Sequence, residues 1–164
     1  MSRILRLASF LVAVAAAWHS GAATVLPVSL DHLADNSAVI FEGTCVGNRT
    51  ERDEGTGLVV TYTTFSVRDV IKGDAASVHE IKQVGGQMPG DGLKFRVDGV
   101  PTFAVGESYV VFLAGVSKAG FSSPIGLAQG RFVVSHEEAG KTVSNGRDFR
   151  EMTTGMPDAL LPFA

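Results

Sequence analysis

The residues best suited to chemistry in this chain are three histidines, one cysteine and two loop acids: His32, His79, His136, Cys45, Asp91 and Asp98. Metal sites draw ligands from close, regular spacings. Here the histidines fall on a helix, a strand and a strand end, more than forty residues apart. His136-Glu137-Glu138 lacks the second histidine of the zinc-protease helix. A nucleophilic cysteine needs a neighbouring base, and Thr44 and Val46 beside Cys45 supply none. Cys45 therefore reads as a small buried apolar residue, with a disulfide between chains as the alternative. No serine stands in a Gly-x-Ser-x-Gly elbow. Asp91 and Asp98 flank one strand, and with His79 they form the one acid–base set that a hydrolase reading can use. Asn48-Arg49-Thr50 matches a glycosylation acceptor. The spacings predict no catalytic set, no metal and no cofactor.

Binding is the chemistry that the loops suggest. The run Gly85-Gly86-Gln87-Met88-Pro89-Gly90-Asp91-Gly92 is rich in turn formers, but it lacks the Gly-Lys-Ser/Thr ending of a phosphate loop and leads into a strand. Gln87, Met88, Pro89 and Asp91 are thus candidates for a partner-binding rim. Phe121 in the loop 115–123 and Leu160, Leu161 and Phe163 in an apolar tail join them. Lys72-Gly73, Gly85-Gly86, Pro101-x-Phe103-x-x-Gly106-Glu107 and Gly126-x-x-Gln129-Gly130 read first as corners, with Glu107 and Gln129 placed to accept or donate hydrogen bonds at loop backbone.

These loops need a frame, and the composition indicates one. Among 164 residues, 45 % are hydrophobic and 19 % charged, which excludes a disordered chain and a coiled coil. Arg3 and Arg6, an apolar run from Leu7 to Trp18, and small residues at 20–23 form the pattern of a secretory leader. Cleavage is expected after Ala22 or Ala23, with Ala17 as the alternative, and the run is too short to span a bilayer. Removing residues 1–23 takes away two arginines and no acid, so the net charge moves from −3 to −5. That balance argues against a nucleic-acid partner. The expected location is secreted or periplasmic, with no membrane anchor left after cleavage. The expected partner is a secreted protein or another envelope component.

Residues 24–155 read as one all-β, mainly antiparallel domain. Ser29 caps a short helix. Strands follow over 38–48, 58–71, 78–84, 93–97, 108–114 and 130–135, with a brief pairing at 125–129. In the second strand Thr61, Thr63, Phe65 and Val67 share a face, and the slip at Val70-Ile71 predicts a bulge near Arg68-Asp69. Leu93, Phe95 and Val97 alternate with Lys94, Arg96 and Asp98, which predicts a half-buried strand. The unbroken run Tyr109 to Leu113 predicts a strand buried on both faces. Residues 136–155 read as polar, with turns at Gly140 and Asn145-Gly146 and a short helix near 149–152, and 156–164 as an apolar tail. Internal glycines in a long bent strand favour a small OB-like β-barrel.

The run Ala38 to Gly47, followed by Thr61 to Gly73 with Phe65, Val67 and Lys72-Gly73, resembles netrin-like and tissue-inhibitor-of-metalloproteinase-like modules. Gly85-Gly86, Phe103, Gly106-Glu107, Tyr109 to Leu113 and Gln129-Gly130 resemble a group of uncharacterised secreted bacterial proteins with the same layout. The resemblance spans residues 30–135 and implies a secreted OB-type barrel. It also raises a second function, inhibitor or companion of a secreted metalloprotease. The eukaryotic inhibitors work through an N-terminal cysteine and disulfides, whereas this chain would start near Ala23 or Thr24 with Cys45 unpaired. The leading expectation is therefore a non-catalytic binding module. The hydrolase built on Asp91, Asp98 and His79 stands as the third reading.

Overall fold

The computed structural model describes residues 26–90, 92–137 and 140–146. The expected leader, Asp91, the short helix expected near 149–152 and the expected tail with Leu160, Leu161 and Phe163 lie outside the described residues. Helix α1 (Leu30–Asn36) is capped by Ser29, whose hydroxyl accepts from the His32 amide at 3.2 Å. Eight strands follow: β1 (Val39–Arg52), β2 (Val59–Lys72), β3 (Val78–Val84), β4 (Gly86–Gln87), β5 (Lys94–Phe95), β6 (Ser108–Leu113), β7 (Arg131–Glu137) and β8 (Gly140–Ser144). The brief pairing expected at 125–129 is confined to its start, where Ile125 N donates to the Phe112 carbonyl at 2.8 Å; a 3₁₀ turn takes Leu127–Gly130.

The main sheet runs β3-β2-β1-β6-β7-β8, and every pairing is antiparallel. Among the described residues the ladder does not return from β8 to β3, so the sheet is not closed there. β1 and β2 form a long hairpin whose register shifts between Glu42↔Asp69 and Gly43↔Val67, which places a bulge at Arg68, where the hydrophobic alternation slips. Lys72 closes the far end of the hairpin. Its ammonium donates to the Ala34 and Asp35 carbonyls at 2.7 and 3.2 Å, at the C-terminus of α1, where free carbonyls favour a cation. Gly73 then turns with φ +71°, and a Cβ there would strike the Ala38 carbonyl oxygen.

Alternation along β1 and β6 splits the apolar residues between two layers. Phe41, Cys45, Phe65, Ile81, Phe103, Tyr109, Val111 and Leu113 fill one face. Ile40, Phe112 and Phe132 face the other way and are covered by Leu33 of α1. β6 therefore packs on both sides, as an unbroken apolar run requires. The aromatic rings meet edge to face: Phe103 lies 5.0 Å from both Phe65 and Tyr109.

Two expectations need correction. The segment 93–97 is not a half-buried strand: only Lys94–Phe95 is paired, and Leu93, Phe95 and Val97 are all exposed. Its partner, β4, has two residues, too short to lay five residues against the core. Residues 140–144 form β8 rather than a plain turn. All five are exposed, so no burial pattern marked them in the sequence.

Candidate functional site

The inner face of the sheet changes character toward one end. Along β2 the inward positions run Phe65, Thr63, Thr61, and along β3 they run Ile81, Gln83. Register pairs Thr61 with Gln83 and Thr63 with Asn48 of β1. The apolar core thus gives way to a floor of hydroxyls and amides. Residues 84–87 and 94–103 pass over this floor and leave a cleft of about 440 Å³. Phe95, Val97, Pro101 and Phe103 supply its apolar lining, and Lys94, Arg96 and Asp98 stand exposed along it.

Most of the floor is internally satisfied. The Thr63 hydroxyl donates to Asn48 Oδ1 at 2.7 Å, and Asn48 Nδ2 donates to the Phe103 carbonyl at 2.8 Å. Both polar atoms of the Asn48 amide are therefore used inside the fold, and the side chain anchors the overlying segment. The Thr61 hydroxyl donates to the Gly85 carbonyl at 2.7 Å. Gly86 allows this close approach, with φ +144° and no room for a Cβ against Thr61 and Thr50. Gln83 is the exception. It is 3 % exposed, and its Nε2 has no hydrogen-bond acceptor among the described residues. A buried donor left unmade costs about 1–3 kcal/mol.

The expected site residues separate. Gln87 lines the cleft. Met88 is half-buried at the tip of the β4–β5 hairpin, its amide bonded to the Leu93 carbonyl at 2.8 Å, and Pro89 beside it is exposed. Phe121 is not on this rim. It lies half-buried beneath Lys82, whose ammonium is 4.6 Å from the ring centroid. Asp91, Leu160, Leu161 and Phe163 lie outside the described residues.

Of the remaining chemical candidates, His79 packs its ring 5.3 Å from Phe41, and burial pushes its pKa down. Asp98, in an exposed turn, lines the cleft, and His79 does not. Cys45 is fully buried and its thiol is pushed up by burial, so a disulfide to another chain cannot form without opening the core. His32 and His136 are exposed on separate elements. Among the described residues no group of three His, Cys, Asp or Glu side chains could hold a metal ion. Of the two corner residues expected to bond loop backbone, Gln129 does, accepting from Val28 N at 2.9 Å and donating to Leu26 O at 3.1 Å, whereas Glu107 accepts from the Tyr109 hydroxyl at 2.8 Å.

Asn48, Thr63, Gln83, Lys94 and Arg96 were missed by sequence reasoning as site residues. The available signal was a polar residue at an inward position of an otherwise apolar alternation, at Thr63 and Gln83. Comparison with family models, with curated proteins and with solved structures found no match for the chain.

Proposed function

We propose that the protein is an exported, non-catalytic β-module that binds a secreted protein or another envelope component through the cleft under residues 84–103. The observation that carries this reading is the Gln83 amide, buried without an acceptor in the floor of a cleft of ligand size. The floor offers amides and hydroxyls, groups that recognise a ligand by hydrogen bonding, and apolar side chains share the same lining. Export rests on the leader-like residues 1–23, and none of the helices among the described residues is long and apolar enough to cross a membrane.

An OB-type barrel is the finer architecture we infer. It is supported by the bulged β1–β2 hairpin and by the segment after β6, which reaches β3 through Ser122 N and the Lys82 carbonyl at 3.0 Å. The experiment has two arms. N-terminal sequencing of the full chain expressed with its leader should give a start near Ala23 or Thr24. Hydrogen exchange with a partner enriched from the periplasm should show protection over residues 84–103. A chain retained whole in the cytoplasm overturns export, and protection confined to β8 or α1 overturns the cleft as the binding feature.

A further inference from the structure

The charges along the cleft point to what enters it. The chain as a whole is acidic, at −3, yet the cleft lining carries Lys94 and Arg96 against one acid, Asp98. Arg131 adds to the local positive potential from behind, donating to the carbonyl of the lining residue Thr102 at 2.7 Å. The free group in the floor is a donor, Gln83 Nε2. An apolar wall of Phe95, Val97, Pro101 and Phe103 lies beside both. A ligand matching all three features has a carbonyl oxygen for Gln83, an apolar body for the wall and a negative charge for the two cations.

We propose that the cleft binds the carboxylate end of a short peptide. An amide carbonyl of the peptide accepts from Gln83 Nε2, an apolar side chain lies on Phe95 and Val97, and the terminal carboxylate is neutralised by Lys94 and Arg96. The volume of about 440 Å³ suits a drug-sized molecule and not the face of a folded domain. The same chemistry is offered by a free oligopeptide and by the C-terminus of a larger protein. This inference rests on the cleft being the binding feature.

The test uses the full chain, isotope-labelled, with a tripeptide ending in Val-Phe-COO⁻, its C-terminal amide, and a carrier protein ending in the same residues. The acid should shift the amide signals of Gln83, Gly85, Gly86 and residues 95–99. The C-terminal amide should bind about tenfold more weakly, and Lys94→Ala with Arg96→Ala should cost the acid a similar factor, since each exposed charge contributes modestly. Raising the salt concentration should weaken the acid alone. Gln83→Leu should weaken acid and amide alike, about fivefold, with no fall in melting temperature. A carrier that binds as the tripeptide does identifies a protein terminus as a sufficient source, and a carrier that fails restricts the site to free peptides; either result requires the carboxylate preference. Equal binding of acid and amide at the cleft overturns the carboxylate assignment and leaves the cleft reading standing. Absence of any shift at the cleft with all three probes overturns the peptide assignment. The protection experiment above then decides separately whether the cleft binds at all.

Discussion

Residues 115–123 and residues 84–103 are both rich in turn formers, and the sequence offered the first, and 87–92 of the second, as binding surfaces. The first is fastened. Ser122 N donates to the Lys82 carbonyl, Lys82 Nζ donates to the Ala119 carbonyl at 2.9 Å and to Asp53 Oδ1 at 2.6 Å, and the Phe121 ring lies under the same ammonium. One lysine on β3 thus joins the β1–β2 turn and the loop after β6. The second segment is held at its ends, by Thr61 on the Gly85 carbonyl and by Asn48 on the Phe103 carbonyl. Between them Leu93, Phe95 and Val97 remain exposed and a donor beneath stays unpaired. Glycine content did not distinguish the two. The difference is whether a side chain from the sheet holds the loop at its middle, as Lys82 does at Ala119, or only at its roots.

The comparison breaks most severely at the root of the second segment. Phe103 is 4 % exposed and wedged edge-on between Phe65 and Tyr109. Phe103→Ala should cost about 3–5 kcal/mol of unfolding free energy, read from denaturant melts, because a cavity opens where two rings lose their partner. Hydrogen exchange should rise over 84–103 before it rises over 115–123. Next in size is Tyr109→Phe. The Tyr109 hydroxyl accepts from Ala104 N and donates to Glu107 Oε2, each at 2.8 Å, just beyond the same root. Removing it orphans a backbone donor beside the core and should cost about 1–3 kcal/mol.

How much of this was legible follows from what each feature depends on. The bulge at Arg68 and the two-sided burial of β6 depend on alternation within one strand, which a single sequence carries. So does the Ser29 cap. The exposure of Phe95 depends on the two-residue length of β4, and the same alternating pattern is compatible with burial or with a cleft wall. The Lys82 clamp joins Asp53, Ala119 and Phe121, which are distant in sequence, and nothing local marks it. Gln83 is intermediate: a polar residue inside Val-x-x-Ile-x-Gln-Val hints at an interrupted core, but only the register with Thr61 shows where the interruption lies.

The clamp gives a smaller effect with a definite pH dependence. The hydrogen bond from Lys82, with help from Thr56, holds the Asp53 carboxyl below its ordinary range, and the bond to Asp53 raises Lys82. A lowered carboxyl stabilises fully above its unfolded value, about pH 4, and that contribution disappears as pH falls through the folded value. A raised lysine stabilises below about pH 10.5 and loses that contribution as pH rises through its folded value. Lys82→Met should therefore lower the melting temperature most between these limits, by less than Tyr109→Phe does, with a smaller deficit in strong acid, where only the Ala119 and Phe121 contacts of Lys82 are lost. His79, pushed down by burial, makes stability fall as pH drops below about 6.5 in both proteins, so it cancels from the difference. Limited proteolysis should now cut within 115–123, while cutting within 84–103 stays unchanged. A variant that loosens both segments equally would show that they are one unit.

The finest contrast lies between two neighbours in the cleft floor. Thr63 and Gln83 are both buried, both inward and both polar. Thr63→Val removes the donor to Asn48 Oδ1, and Asn48 is what holds the Phe103 carbonyl, so this near-isosteric change should cost about 1 kcal/mol. Gln83→Leu keeps the bulk and removes a donor that had no acceptor, so it should be neutral or stabilising by up to about 1 kcal/mol. Equilibrium melts of the two variants side by side give opposite signs if the floor is built to hold its roof at Thr63 and to hold a ligand at Gln83. A loss of about 2 kcal/mol or more at Gln83→Leu would mean that the amide already stabilises the fold. The second segment would then be fastened like the first, and the cleft would lose its claim as a site.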